Sequence, residues 1–251
     1  MVDTFQTTVN AYIAPGKKGG WASANPHVSL QPPETGDLTA ASSSSWQVGA
    51  SGCLIGNFAF ADTATGYVTN AHPGTGLTTQ GGPSPVVGPV RVGFVQEDQV
   101  SLITAYLGGD TMALIPGGPV SLITRGDVWA QFAGGANVGQ FVFASFADGS
   151  LTAQNSITPP TTTFAATTTN TSPNLTSVGA GAVAGQPITG TGIPAGTYLV
   201  SVNAVAGTAV MSANATASGA ITVTATTAAY TDFRVDTLTA AGGIGKISVW
   251  A

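Results

Sequence analysis

The chain has 251 residues, of which 7% are charged and 43% hydrophobic, and eleven acidic against six basic side chains give a net charge of −5. An ordinary globular chain is about 25% charged, and here only Lys17 and Lys18 adjoin among the basic residues, so no cluster exists to neutralise phosphates and no nucleic-acid partner is expected. The longest uninterrupted apolar run is four residues against the ~20 of a spanning helix, so no membrane partner is expected either.

In chain order, residues 1–15 alternate polar with apolar side chains and carry Asp3, without the basic start and apolar core of a signal peptide. Glycine and proline break most windows long enough for a helix and β-branched residues fill the gaps, so the pattern predicts an all-β protein of short strands between turns. Strands are expected at Cys53–Asp62, Pro89–Val95, Val100–Leu107, Thr111–Ile115, Pro119–Thr124, Asp127–Phe132 and Gln140–Phe146. Ile115-Pro116-Gly117-Gly118-Pro119 forms a turn, because proline pre-sets φ and glycine permits φ > 0. From residue 149 to 231, a stretch of 83 residues, there is no Asp, Glu, Lys, Arg or His. This neutral block opens on Pro159-Pro160 and the Thr-rich run Thr161–Thr171, which reads as a linker. Strands are then expected at Thr197–Asn203, Thr208–Ser212 and Ala220–Thr226, followed by Asp232–Thr239 and Ile244–Trp250.

Chemistry-bearing patterns are sparse. His27 and His72 each adjoin a proline, and neither has His, Cys or carboxylate companions at metal-ligand spacing. Ser51 in Gly49-Ala50-Ser51-Gly52-Cys53 lacks the last glycine and the following helix of a nucleophile elbow. Cys53 is the single cysteine, so no intramolecular disulfide forms, which fits folding in a reducing cytoplasm. Glu97-Asp98 reads as a solvated turn. No enzymatic activity, no cofactor and no metal are expected. A surface with so few charges lacks both the repulsion that keeps chains apart and the charged gatekeepers of strand edges, which points to edges covered in an assembly.

The residues resemble one family in collinear order. Leu102-Ile103-Thr104-Ala105-Tyr106, Ile115-Pro116-Gly117-Gly118-Pro119-Val120 and Gly126-Asp127-Val128-Trp129 resemble the "LITxY" strand, "IPxGxPV" turn and "GDxW" strand of the tailed-bacteriophage structural cement, or capsid decoration, proteins. Ala14-Pro15-Gly16 with Ala22-Ser23-Ala24-Asn25-Pro26 resembles that family's N-terminal arm, Gly56–Asp62 its "GxFAxAD" strand, Gly139–Gly149 its hairpin and Lys246–Trp250 its closing strand. Val183–Thr197 is similar to a small β-module of phage surface and tail proteins.

The resemblance implies an arm at 1–33, a discontinuous β-barrel or jelly-roll-like body at 34–155 and 229–251, and an inserted β-sandwich-like module at 156–228. It implies a virion protein, made in the host cytoplasm, that oligomerises on the outer capsid surface and clamps subunits of the major capsid protein. In that reading the arm lies across coat subunits by strand addition, with Lys17 and Lys18 reaching acidic patches and Trp21 filling a pocket. The alternative is a tail or fibre adhesin whose module binds a glycan or receptor. The only aromatics between 149 and 231, Phe164, Tyr198 and Tyr230, weigh against sugar stacking.

Overall fold

The computed structural model describes residues 16–30, 46–63, 65–74, 90–97 and 112–249. Among them there is no helix. The strands of the body are β1 (Val28–Ser29), β2 (Trp46–Val48), β3 (Cys53–Leu54), β4 (Phe58–Asp62), β5 (Tyr67–Thr69), β6 (Val90–Val95), β7 (Ala113–Leu114), β8 (Pro119–Val120), β9 (Leu122–Gln131), β10 (Phe141–Ser145) and β11 (Leu151–Gln154). A second group follows: β12 (Thr161–Thr168), β13 (Asn174–Thr176), β14 (Ile188–Thr189), β15 (Leu199–Asn203), β16 (Thr208–Met211) and β17 (Gly219–Thr226). The chain then returns to the body with β18 (Ala228–Val235) and β19 (Ile244–Val249).

The body is one large mixed sheet in the order β11-β10-β18-β19-β9-β6-β4-β5-β2-β8, with β1 paired to β9 and the small β3–β7 pair beside it. Its pairings are antiparallel except for parallel β2 and β5. Among the described residues the barrel expected from the resemblance does not close: β8 ends one side of the order and β11 the other, where β11 meets the end of β9 through the single Phe132–Leu151 bridge. β8 begins at Pro119, which has no N–H to give a further strand and belongs at an edge.

Two apolar clusters lie against this sheet. Phe58, Phe60, Phe94, Val128, Phe132, Phe143's neighbours Val142 and Ala144, Phe146, Phe233 and Ile247 bear on the first or compose it, while Trp46, Val48, Ile55, Val68, Leu114 and Leu122 belong to the second. β4 divides them. Its alternation sends Phe58 and Phe60 into the first cluster and Ala59 and Ala61 into the second, so all four are buried. The phenylalanines meet edge-to-face, with Phe58 5.5 Å from Phe94 and 5.7 Å from Phe233 between ring centroids, the arrangement aromatic quadrupoles prefer.

The neutral block folds as its own six-stranded sheet, β14-β17-β12-β13-β16-β15, around Phe164, Leu175, Ile188, Leu199, Met211 and Val223. Its two ends approach each other through the Pro187–Tyr198 bridge and the Leu199 N–H, which donates to Gln186 O at 2.9 Å.

The Thr-rich run expected as a linker is instead strand β12, paired along its whole length with β17. Phe164, Ala166 and Thr168 turn inward while Thr161, Thr163 and Ala165 face out. β-branched residues fit such a half-buried pleat, and the repeated threonines hide the period of two from a reading by composition.

Other differences are local. The strand expected at Cys53–Asp62 breaks at Gly56, whose φ of 74° suits glycine. The strand expected from Asp232 begins earlier, at Ala228. The pieces expected at Pro119–Thr124 and Asp127–Phe132 become a short β8 and one continuous β9. The strand expected at Val100–Leu107, and with it the Leu102–Tyr106 motif, lies outside the described residues.

Because Phe60 is fully buried and stacked on Phe146, Phe60→Ala is expected to lower stability by about 3–5 kcal/mol, read from urea unfolding.

Candidate contact surfaces and their framework

The arm lies along its own body over residues 16–30. Gly19 N–H donates to Trp129 O at 2.8 Å, Trp129 N–H to Gly20 O at 2.9 Å and Ala22 N–H to Asp127 O at 3.0 Å. Further on, β1 pairs with β9, and Leu30 N–H donates to Leu122 O at 2.7 Å. The main-chain groups used here are therefore satisfied within the chain and are not on offer to a neighbour.

Each sequence-predicted contact residue is engaged in the same way. Lys17 forms an ion pair with Glu97 and keeps about half of its side chain exposed. Lys18 lays its stem over Gly56, where a Cβ would strike it, and burial lowers its ammonium pKa. Trp21 bridges to Val128, packs against the first cluster and holds its ring 4.2 Å from that of His27, tilted by 37°. Of the acidic pair, Glu97 is thus tied to the arm, and Asp98 lies outside the described residues.

Sequence reading missed the polar centre beneath the arm. Asp127, 1% exposed, accepts hydrogen bonds from Asn25 Nδ2 at 3.1 Å and Lys246 Nζ at 3.0 Å on Oδ2. Lys246 also reaches Asp236 at 3.2 Å. Burial pushes the Asp127 carboxyl up, but hydrogen bonds from Ser23, Lys246 and Asn25 and the Lys246 charge outweigh it, so its pKa lies below the ordinary carboxylate range. The "GDxW" spacing marked the position, but nothing in one sequence names partners a hundred residues away.

His72, expected in a loop, is buried where body and module meet. Its ring stands edge-on to Phe60 at 5.0 Å and Phe146 at 5.4 Å. Nδ1 accepts the Gly74 N–H at 3.1 Å, which leaves the proton on Nε2, and Nε2 has no partner. Gly185 of the module lies so close that a Cβ there would collide with the imidazole, and a Cβ at Gly74 would collide with Val200 O. Burial lowers the imidazole pKa to about 4, so the ring is neutral at physiological pH.

An open cavity of about 230 Å³ is lined by β6, β9 and β18, with Arg91, Val92, Arg125, Tyr230, Asp232 and Phe233 in its wall. Asp232 holds φ at 63° inside a bulge: Phe141 pairs with Arg234 but Phe143 with Tyr230. Such a bulge re-aims a side chain. Burial raises the Asp232 carboxyl pKa, and the Arg125 charge pulls the other way.

The remaining reactive groups are inert as placed. Cys53 is buried, donates from Sγ to Val68 O at 3.3 Å, and burial pushes its thiol up to about 12 against the pull of the Asn70 hydrogen bond. Ser51 sits on the Gly49–Gly52 turn between β2 and β3. No group of three or more His, Cys, Asp or Glu among the described residues could hold a metal ion.

The XM1 gp53 minor capsid protein family matches residues 5–182. The chain belongs to that family. Membership makes it a phage structural protein, a component of the virion associated with the capsid. The family match takes in the arm on β9, the two-cluster part of the body and the start of the neutral sheet as far as β13; β14–β19 lie beyond it. No curated protein and no solved structure matches the chain.

Two outcomes follow from the buried polar groups of this minor capsid protein. Lys246→Met strands the Asp127 carboxylate and is expected to cost about 3–5 kcal/mol in urea unfolding, with much of the loss recovered in the Asp127→Asn/Lys246→Met double variant. For His72, the unfolded ring takes up a proton near pH 6.5 and the folded ring only near 4, so the unfolded state binds more protons between them and stability falls as pH drops. The wild type should lose about 3 kcal/mol across that window beyond what His72→Gln loses, read by thermal melting at stepped pH.

Proposed function

We propose that this protein decorates the outer surface of a phage capsid as a homo-oligomer and stabilises the shell by bridging neighbouring coat subunits. The observation that carries the reading is membership of a minor capsid protein family across the arm and much of the body. The surface chemistry agrees with it. The six-stranded module carries no charged side chain, so neither repulsion nor charged edge gatekeepers oppose close approach of partners. Val138 and Leu238, 64% and 75% exposed, stand on two loops joined by the Ala136–Thr239 bridge and offer an apolar contact.

In this reading the arm from Gly16 to Leu30 is a fixed ridge on the body rather than a free strand. Lys18 and Trp21 anchor it, and the exposed half of Lys17 faces acidic coat patches. Many copies on a symmetric shell multiply weak contacts, so no single patch has to be strong. The fold is a scaffold for contact, without catalysis or cofactor. A glycan-binding adhesin finds less support, because Phe164 is buried and Tyr198 and Tyr230 are half-buried, leaving no exposed aromatic in 149–231 to stack on a sugar.

Electron microscopy of particles carrying and lacking the protein tests the reading. Density repeating on the outer shell lattice is expected, together with a lower disruption temperature for bare particles that added protein restores. Density confined to the tail would overturn it in favour of the adhesin.

A further inference from the structure

The basic side chains of this chain are few enough to be traced one by one. Lys17 pairs with Glu97, Lys246 with Asp127 and Asp236, and Lys18 lies along Gly56. Arg234 sits 3.9 Å over the Phe141 ring and donates to Gly139 O at 3.4 Å. Arg91 and Arg125 remain. Neither guanidinium has a hydrogen bond or ion pair among the described residues, although acidic residues outnumber basic ones eleven to six, and both line the cavity between β6, β9 and β18.

The two arginines come from different strands and arrive by different local devices. Arg91 stands on β6 opposite Ala61 of β4. Arg125 stands on β9 beside Gly126, whose φ of 129° interrupts the strand's alternation. The third charged group, Asp232, is brought to the wall by the β18 bulge. Tyr230 adds a phenol, and Leu30, Val92 and Phe233 add apolar surface.

We infer that this cavity is a recognition site for a carboxylate, the acidic side chain of a coat subunit flanked by apolar residues. Guanidinium groups bind carboxylates through paired N–H donors. Two of them with one fixed carboxylate leave a single positive charge in the wall, which matches one carboxylate. A phosphate dianion would be opposed by Asp232. The volume of about 230 Å³ admits one or two side chains, and the apolar lining takes up the neighbours of the acidic residue. The site gives the decoration reading a point of charge-specific register on a surface otherwise short of charge. Its assignment to a coat subunit rests on that reading.

Two measurements on the full-length protein test it. In the first, the arginine Nε–Hε resonances are followed while the protein is titrated with acetyl-Ala-Leu-Glu-Leu-Ala-amide, with its Gln counterpart and with inorganic phosphate. In the second, wild type and the Arg91→Gln/Arg125→Gln variant are co-sedimented with capsids that lack the protein. The Glu peptide should shift the Arg91 and Arg125 signals and the Gln peptide should not. Capsid affinity of the double variant should fall about tenfold or more, with the circular dichroism spectrum of the fold retained because neither guanidinium has a hydrogen bond or ion pair among the described residues and Arg125 acts on Asp232 through its charge alone. Arginine signals unmoved by the Glu peptide, an equal response to phosphate, or wild-type capsid binding by the double variant would each overturn the inference. Self-association that disappears in the double variant would give the carboxylate to a second copy and overturn the coat assignment. If the wild type itself does not bind capsids, the decoration reading fails and the coat assignment with it, while the titration still decides whether the cavity takes a carboxylate.

Discussion

The buried carboxylate of Asp127 fixes how three distant stretches of chain meet. It lies on β9, takes a hydrogen bond from Asn25 of the arm, and is balanced by Lys246 of β19, which is steadied in turn by Asp236 after β18. An unpaired carboxylate at this depth costs several kcal/mol, so the site is tolerable only with its partners in place. That condition couples the arm, the central strand and the closing strand into one all-or-none arrangement. Asp127 thereby does for register what apolar packing alone does loosely, since sliding the arm or β19 along β9 would leave the charge uncompensated.

Around this centre the protein separates two kinds of surface. The described ion pairs all lie in the arm and body, whereas the six-stranded module is held by alternation and by hydroxyl and amide hydrogen bonds, such as Thr197 Oγ1 to Pro194 O at 2.7 Å and Gln186 Nε2 to Gly181 O at 3.2 Å. The two are joined without charge. His72 is inserted between aromatic rings of the body and the bare backbone of Gly185, and Val183 packs against the body's first cluster. A neutral imidazole with an unpartnered Nε2 is a joint that stays tight while uncharged and is weakened by protonation, unlike a joint of apolar side chains.

Much of the architecture is legible from residues alone, and its failures have a common cause. Strands opened by proline or glycine and rich in β-branched residues, such as Val90–Val95 after Pro89 and Thr208–Met211 after Gly207, lie where these signals put them. The all-β class follows from glycine and proline interrupting most windows in which a helix could run. What alternation cannot show is pairing partners. Asp127 looks like part of a local motif until Asn25 and Lys246 are seen beside it, and His72 looks like a loop residue until Phe60, Phe146 and Gly185 enclose it. Thr161–Thr168 looks like a linker because side-chain chemistry barely differs between its two faces, while pairing with β17 is what makes it a strand. Lys17, Lys18 and Trp21 are conspicuous as rare charges and an aromatic, yet the sequence does not say that their own body occupies them.

β9 shows why the body both needs and hides an irregularity. Ile123 and Val128 face the same apolar cluster although they are five residues apart, which a strand of strict period two does not allow. The alternation therefore slips by one residue between them, at the place where β1 changes register and Gly126 holds φ at 129°. A side chain at Gly126 would be strained and would press on His27 Cβ at 3.0 Å, so glycine is required there. Without the slip, Arg125 and Asp127 would share one face, and either the carboxylate would reach solvent or the guanidinium would be buried. With it, Asp127 turns inward to Lys246 while Arg125 turns outward to the cavity. One glycine thus separates a charge that holds the fold together from a charge that lines the cavity beside Asp232.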